Sequence, residues 1–277
     1  MKQKIILSLA PTSGAGPGNG NPLTPEAIAH DVIASVDQGA TVVHLHARSE
    51  HGILTSDQAM FDRAVSLVKE SRDLILEAST GGLSSMSPDE RALPVSNPHA
   101  ELGSLNIGSL NFGDSVYSNS LPDVRHWIQC MVKAGVKPSL EVFDTGHLVT
   151  ALDLVKQGLV KAPCNFSFIF GVQWGMPWDP ELLQWLVRRL PEGSRWGVIL
   201  VGSSGFASHL RAASLGASFL RVGFEDSHDL GDRLAGNNAS LVSALREELE
   251  ENGYTIARVD QARDILGIVN GGTDISR

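Results

Sequence analysis

Only two cysteines, Cys130 and Cys164, occur in 277 residues. That is too few for a disulfide framework and fits two plain thiols in a reducing compartment. The chain also lacks any run of lysine or arginine, and its formal charge is −9. Nucleic acids and anionic membranes are bound through a positive electrostatic footprint, so neither is expected as a partner. A small anionic substrate stays open, because local charge decides that. No apolar run is long enough to span a membrane, and Met1 to Leu7 gives way too soon to polar and glycine-rich sequence for a secretory leader. A cytoplasmic protein is the expectation. A phosphate loop is missing too: the segment Pro11–Pro22 (PTSGAGPGNGNP) has neither the dinucleotide spacing of glycines nor a following Gly-Lys-Ser/Thr. It reads as a loop over a site.

What the chain does have is Thr41-Val42-Val43-His44-Leu45-His46-Ala47-Arg48, an apolar, partly β-branched run with the character of a buried parallel strand. Side chains two apart leave a strand on the same face, so His44 and His46 point together, with Cα atoms roughly 6.5 Å apart. A lone histidine here would read as a hydrogen-bonded core residue. Two on one face without a shared partner would leave several kcal/mol of unmet hydrogen bonding, and a metal ion completed by a carboxylate from elsewhere is the competing reading.

Strands are expected at Lys4–Ala10, Thr41–Arg48, Leu74–Thr80, Leu102–Leu110, Lys137–Phe143, Cys164–Gly171, Arg195–Gly202 and Ala217–Glu225. Helices alternate with them. Thr24 caps one that opens on Pro25 and stops at Gly39, Asp57–Glu70 and Pro122–Ala134 are amphipathic, and Asp144-Thr145 caps another. Two more close the chain near Asn238–Glu250 and Val259–Leu266. Eight alternations with no proline-rich linker give the count of an α/β (β/α)8 TIM barrel with extra C-terminal helices, one domain over residues 1–277. A doubly wound sheet is the alternative.

In such a barrel, catalytic residues sit where strands run out into the following loops. That location selects His44, His46 and Arg48 after strand two, Glu77, Ser79 and Thr80 after strand three, and Ser104, Asn106 and Asn111 after strand four. Strand five adds Glu141 and Asp144, and strand eight ends in Arg221, Glu225 and Asp226. Glu225 is assigned as the third metal ligand; two imidazoles and a carboxylate suit zinc best, with manganese, iron, cobalt or nickel as other divalent choices. Strand alternation turns Asp226 away from Glu225 unless the chain bends there. Arg221 either pairs with a core carboxylate such as Glu77 or Glu141, or holds a substrate carboxylate. His147, His209 and His228 read as surface or helix-cap residues.

The segments VVHLHAR, ASTGG, Glu90-Arg91, SLNIGSLNFG, LEVFDTGHL, RVGFED, NNASLV and QARDILG, in that order, resemble the β-keto acid cleavage enzymes over almost the whole chain. The resemblance implies a barrel, a zinc ion on two histidines and a glutamate, usually a homotetramer, and a Claisen-type exchange with no covalent enzyme intermediate. In it a β-keto acid and acetyl-CoA become acetoacetate and an acyl-CoA. Carried over, His44, His46 and Glu225 are the zinc ligands, Asp226 the general base and Arg221 its electrostatic partner. Ser79, Ser104 and Asn106 position substrate, with Thr80, Gly81 and Gly16 as further substrate contacts.

The sequence departs from the family pattern twice. Gly16 stands where members acting on an amino-substituted keto acid carry a glutamate for its ammonium, which favours a neutral or apolar tail. Val201-Gly202-Ser203-Ser204-Gly205 lacks the arginine usual after strand seven. That absence favours a rival on the same metal site, a CoA-independent retro-aldol lyase or hydrolase; a second rival is a non-catalytic carboxylate sensor. Trp174 and Trp178 either narrow the pocket or pack between subunits.

Overall fold

Runs apolar on both faces, each separated from the next by a helix, can bury themselves only as parallel strands with helices outside. The computed structural model, which describes residues 3–14, 16, 18 and 20–268, has this arrangement. The strands are β1 (Lys4–Leu9), β2 (Ala40–Leu45), β3 (Ile75–Ser79), β4 (Ala100–Asn106), β5 (Lys137–Val142), β6 (Asn165–Phe170), β7 (Arg195–Leu200) and β8 (Phe219–Val222). They follow one another in chain order around the sheet. Parallel pairing of β8 with β1, Ile6 opposite Phe219 and Ser8 opposite Arg221, closes the barrel and removes the doubly wound alternative.

The two-residue period divides each strand between two cores. Leu7, Val43, Leu76, Leu105 and Leu140 face outward into the main core beneath the helices. Ile6, Val42, Ile75, Leu102 and Phe219 face inward and form a separate apolar floor. The closing helix Val259–Leu266 plugs that end of the barrel: Ala262 and Leu266 join the floor, and Asn165 Nδ2 donates to the Leu266 carbonyl at 3.2 Å. A short strand, Thr255–Ile256, leads into it by pairing alongside β1. The inward positions nearer the mouth are polar, among them His44, Glu77, Ser79, Ser104, Asn106, Glu141 and Arg221. A barrel is thus apolar at its closed end and chemically equipped at its open end.

Boundaries depart from expectation chiefly at the mouth. β2 stops at Leu45 and β8 at Val222, so His46, Glu225 and Asp226 stand on loops. β4 spans Ala100–Asn106 and does not continue to Leu110; Leu110–Phe112 instead pairs antiparallel with Ser115–Tyr117 in a hairpin, with Gly113 (φ +56°) in its turn. A short helix, Pro88–Ala92, with a Ser87–Glu90 capping box precedes β4 and was not expected. Among the described residues no helix is long and apolar enough to cross a membrane.

Candidate active site

His44 is the inward residue next to the end of β2 and is 2% exposed. Its Nδ1 donates to Glu77 Oε2 at 2.9 Å, a contact set by the β2–β3 register that puts His44 opposite Glu77. His46 Nδ1 lies 3.3 Å from the Gly81 carbonyl, which can only accept. Both Nδ1 atoms therefore carry hydrogens, and in the neutral rings both Nε2 atoms present lone pairs. These two Nε2 atoms are 3.1 Å apart. Glu225 closes the triangle, with Oε1 3.6 Å from His44 Nε2 and Oε2 3.5 Å from His46 Nε2.

Two facing lone pairs beside a carboxylate repel unless one cation lies among them. Burial pulls the His44 pKa down, but Glu225 and Glu77 outweigh it and hold it above the ordinary histidine value. Burial, reinforced by His44 and Arg48 against the opposing pull of Glu225, takes His46 down to about 4. Burial likewise works against ionised Glu225, yet His46, His44 and Arg221 keep its carboxyl well below the usual range. The cluster therefore favours one positive charge among its three groups, a proton on His44 or a metal ion in its place. Three ligand atoms within 4.8 Å of one another, with Glu77 fixing one imidazole from behind, fit a divalent metal ion.

The reach of Glu225 comes from Gly223. Its φ is +143°, and a Cβ there would overlap the Ala10 carbonyl. The chain turns at this residue, Asp226 N–H donating to the Gly223 carbonyl at 2.9 Å, so strand alternation ends and both carboxylates come to the same side. The bend on which a catalytic Asp226 depended is present. Arg221 then pairs with these two and with neither Glu77 nor Glu141: Nε donates to Asp226 Oδ2 at 2.8 Å, while Nη2 reaches Asp226 Oδ1 at 2.6 Å and Glu225 Oε1 at 3.1 Å. Burial raises the Asp226 pKa against the lowering by Arg221, leaving the carboxylate a better proton acceptor than a free aspartate.

A cavity of about 610 Å³ opens above this cluster, within the range of small-molecule sites. Its polar side carries His44, His46, Arg48, Ser79, Asn106, Arg221, Glu225 and Asp226. Its apolar lining comes from the cluster of Phe143, Ile169 and Ile199, beyond and on β5, β6 and β7, and from Phe112 and Val116 of the hairpin. Gly81 and Gly14 also line it; Gly16 does not, its carbonyl instead accepting from Asn21 Nδ2 at 2.8 Å. The Thr80 hydroxyl is committed to the Ser104 carbonyl at 2.6 Å, and Ser104 Oγ touches Ser79 Oγ at 3.3 Å from behind. Glu141 borders the cavity with its pKa pushed up to about 7, mainly by burial.

Other residues lie away from the cavity or depart from expectation, and of the two readings for Trp174 and Trp178 the pocket-narrowing one is removed. Trp174 is exposed and Trp178 packs edge-on against Phe170 with ring centroids 5.3 Å apart, and neither lines the cavity. His147 and His209 are buried, not at the surface; their Nε2 atoms meet the Ser109 and Arg221 carbonyls at 3.2 and 3.1 Å. His228 is partly buried and stacks on Phe224. Of the residues at the site, Arg48 was selected by its place after strand two without a role, and Tyr117 was not selected. Arg48 approaches Glu225 Oε2 at 3.9 Å while its Nη1 donates to the Gly52 carbonyl at 2.9 Å. Tyr117 borders the cavity from the hairpin, and no pattern in a loop marks such a position.

A sequence model of the beta-keto acid cleavage enzymes matches residues 4–268. The chain is 34% identical over 274 residues to a 3-keto-5-aminohexanoate cleavage enzyme of Fusobacterium nucleatum, covering 97% of this chain and 99% of that one. It is 32% identical to a 3-oxoadipate:acetyl-CoA acetyltransferase of Cupriavidus necator, covering 97% and 96%. Among solved structures, that described as the apo structure of ObcA superposes with a TM-score of 0.75 at 24% identity, over 90% of this chain and 65% of that longer one, a likeness of fold.

Proposed function

The chain belongs to the beta-keto acid cleavage enzyme family, and from that premise we propose that it exchanges the acyl group of a β-keto acid with an uncharged tail for the acetyl group of acetyl-CoA. The observation that carries this reading is the juxtaposition of the His44–His46–Glu225 cluster with the Arg221-held Asp226 under an apolar wall. We read the metal as zinc, the assembly as a homotetramer, the location as cytoplasmic, and residues 1–277 as one barrel domain. The chemistry such an ion supplies when bound is Lewis acidity, which acidifies the carbon between the keto and carboxylate groups.

Asp226 takes one proton from that carbon, C2 of the keto acid. The resulting carbanion attacks the acetyl carbonyl, forming a C–C bond as the CoA thiolate leaves. The thiolate then attacks the original keto carbon, the old C2–C3 bond breaks, and Asp226 returns its proton to C2. Acetoacetate and the acyl-CoA are the products, with atoms and electrons balanced. Arg221 fixes the carboxylate by two hydrogen bonds and leaves its protonation to the substrate encounter. Ser79 and Asn106 on the cavity wall orient the substrate, while Ser104 and Thr80 brace Ser79 and the strand end behind them.

The apolar wall offers no ionic partner to a charged tail, and Gly16 supplies none. Acetoacetate formation from acetyl-CoA and keto acids with propyl, carboxyethyl and aminoalkyl tails tests the reading. A neutral tail is expected to give at least about 10-fold higher kcat/KM, since a charged one loses hydration without compensation. Equal use of all three would remove the assignment of tail class. Ser203 and Ser204, in place of an arginine, stand in the loop after β7 and outside the cavity; product formation without acetyl-CoA would move the function to a CoA-independent lyase or hydrolase.

A further inference from the structure

Arg91 is 4% exposed and lies behind the site, where it ties three segments together. Its Nε donates to the Thr80 carbonyl at 2.9 Å, Nη1 to the Ser118 carbonyl at 2.7 Å, and Nη2 to Asn119 Oδ1 at 2.6 Å and to the Tyr117 hydroxyl at 3.2 Å. The guanidinium also stacks over Trp127 at 4.2 Å. A charge held this firmly fixes whatever it touches. On the cavity side, that is the phenol of Tyr117.

The phenol oxygen accepts from Arg91 Nη2 at 3.2 Å. With the fixed Arg91 guanidinium, which can only donate, on its oxygen, the hydroxyl hydrogen is left to be donated elsewhere. The oxygen borders the space that Gly81 leaves open by having no side chain. The point where a Cβ on Gly81 would stand is 3.1 Å from the Tyr117 oxygen, 2.8 Å from His46 Cε1 and 3.0 Å from Ser79 Oγ. All three residues border the cavity. The hydroxyl therefore opens on the same space as a candidate metal ligand and a candidate substrate-positioning serine. Burial pushes the phenol up to about 12, so it keeps its proton at any physiological pH.

We infer that Tyr117 is a catalytic residue of this site, donating its phenolic hydrogen bond to a substrate oxygen beside His46 and Ser79. The inference rests on the β-keto acid reading of the cavity. A preorganised donor aimed at an oxygen where negative charge gathers lowers the energy of the carbanion and its flanking transition states. The hairpin Leu110–Phe112/Ser115–Tyr117 thus carries one reactive group as well as cover for the pocket.

Tyr117→Phe removes the hydroxyl and keeps the ring beside Phe112. In metal-loaded protein, acetoacetate binding measured by calorimetry is expected to weaken at least 10-fold, and kcat/KM with acetyl-CoA to fall 10- to 100-fold, with metal content unchanged. Affinity and turnover within twofold of wild type would overturn the inference, as would absence of acetoacetate binding to either protein. A second measurement leaves the Tyr117 hydroxyl in place. The chain has two tyrosines, Tyr117 and Tyr254, so 3-fluorotyrosine incorporated into Tyr254→Phe protein reports Tyr117 alone by fluorine NMR. Its resonance is expected to shift on adding acetoacetate, and an unmoved resonance at saturation would overturn the inference. A shifted resonance without any acyl exchange would leave the donor role standing and remove the proposed reaction. Exchange with an unmoved resonance would do the reverse.

Discussion

His44 and His46 share a face because a strand alternates, but what makes them candidate metal ligands is the fate of their other nitrogens. Glu77 and the Gly81 carbonyl take both Nδ1 hydrogens and leave two lone pairs facing one another. Replacing Glu77 with alanine releases His44 to rotate and removes a negative charge from behind the ion. Metal affinity should fall about 10- to 100-fold, measured by competition with a chromophoric chelator; an unchanged affinity would mean that Glu77 does not orient the ligand. Asp226→Asn should retain one metal per chain and lose about 10²- to 10⁴-fold in kcat, because the amide accepts no proton. Retained turnover would transfer the base role to another group. The histidine pair was legible from spacing alone. Glu77 as a partner of His44 was not, since it depends on which residues of two separate strands stand opposite one another.

At the scale of elements, the strand ends decide the chemistry. Alternation predicts Arg221 and fails for Asp226, because Gly223 turns the chain after only four residues of β8. The reversal depends on a positive φ and on the close approach of the Ala10 carbonyl, neither of which has a sequence pattern beyond the glycine itself. The helix Ala207–Ser214 supports the same strand end through His209, whose Nε2–H donates to the Arg221 carbonyl at 3.1 Å. His209 Nδ1 is buried without a partner among the described residues, and burial lowers the imidazole pKa to about 4. The unfolded chain binds a proton here below the usual value of about 6.5, and the folded one only below about 4, so stability is full above pH 6.5 and declines as pH falls through that window. The loss from this residue should approach roughly 3 kcal/mol. Urea unfolding across pH 4 to 7 should give a shallower slope for His209→Gln than for wild type; identical slopes would show that His209 titrates normally in the folded protein. The isolated-histidine reading failed here because a long-range backbone partner compensates burial.

Across the whole molecule, element order gave the eight alternating units but left a doubly wound sheet open; the pairing of β8 with β1, which no count of runs contains, closes the barrel. The apolar floor sealed by Leu266 and the polar mouth are consequences of that closure. The hairpin over the mouth was hidden, because its two three-residue strands have too few positions for a periodic signal. Whole-molecule charge is equally silent about the site: a chain of net charge −9 still brings Arg48 and Arg221 to the cavity that would receive an anionic keto acid. The most direct measurement supplies the metal-loaded enzyme with an unlabelled neutral-tail β-keto acid and acetyl-CoA carrying carbon-13 in its acetyl carbonyl, and locates the label by NMR. Acyl exchange through a C2 carbanion places it at the keto carbon of acetoacetate, with one acyl-CoA formed per acetoacetate. Unlabelled acetoacetate, or acetoacetate made equally well without acetyl-CoA, would contradict the exchange reaction.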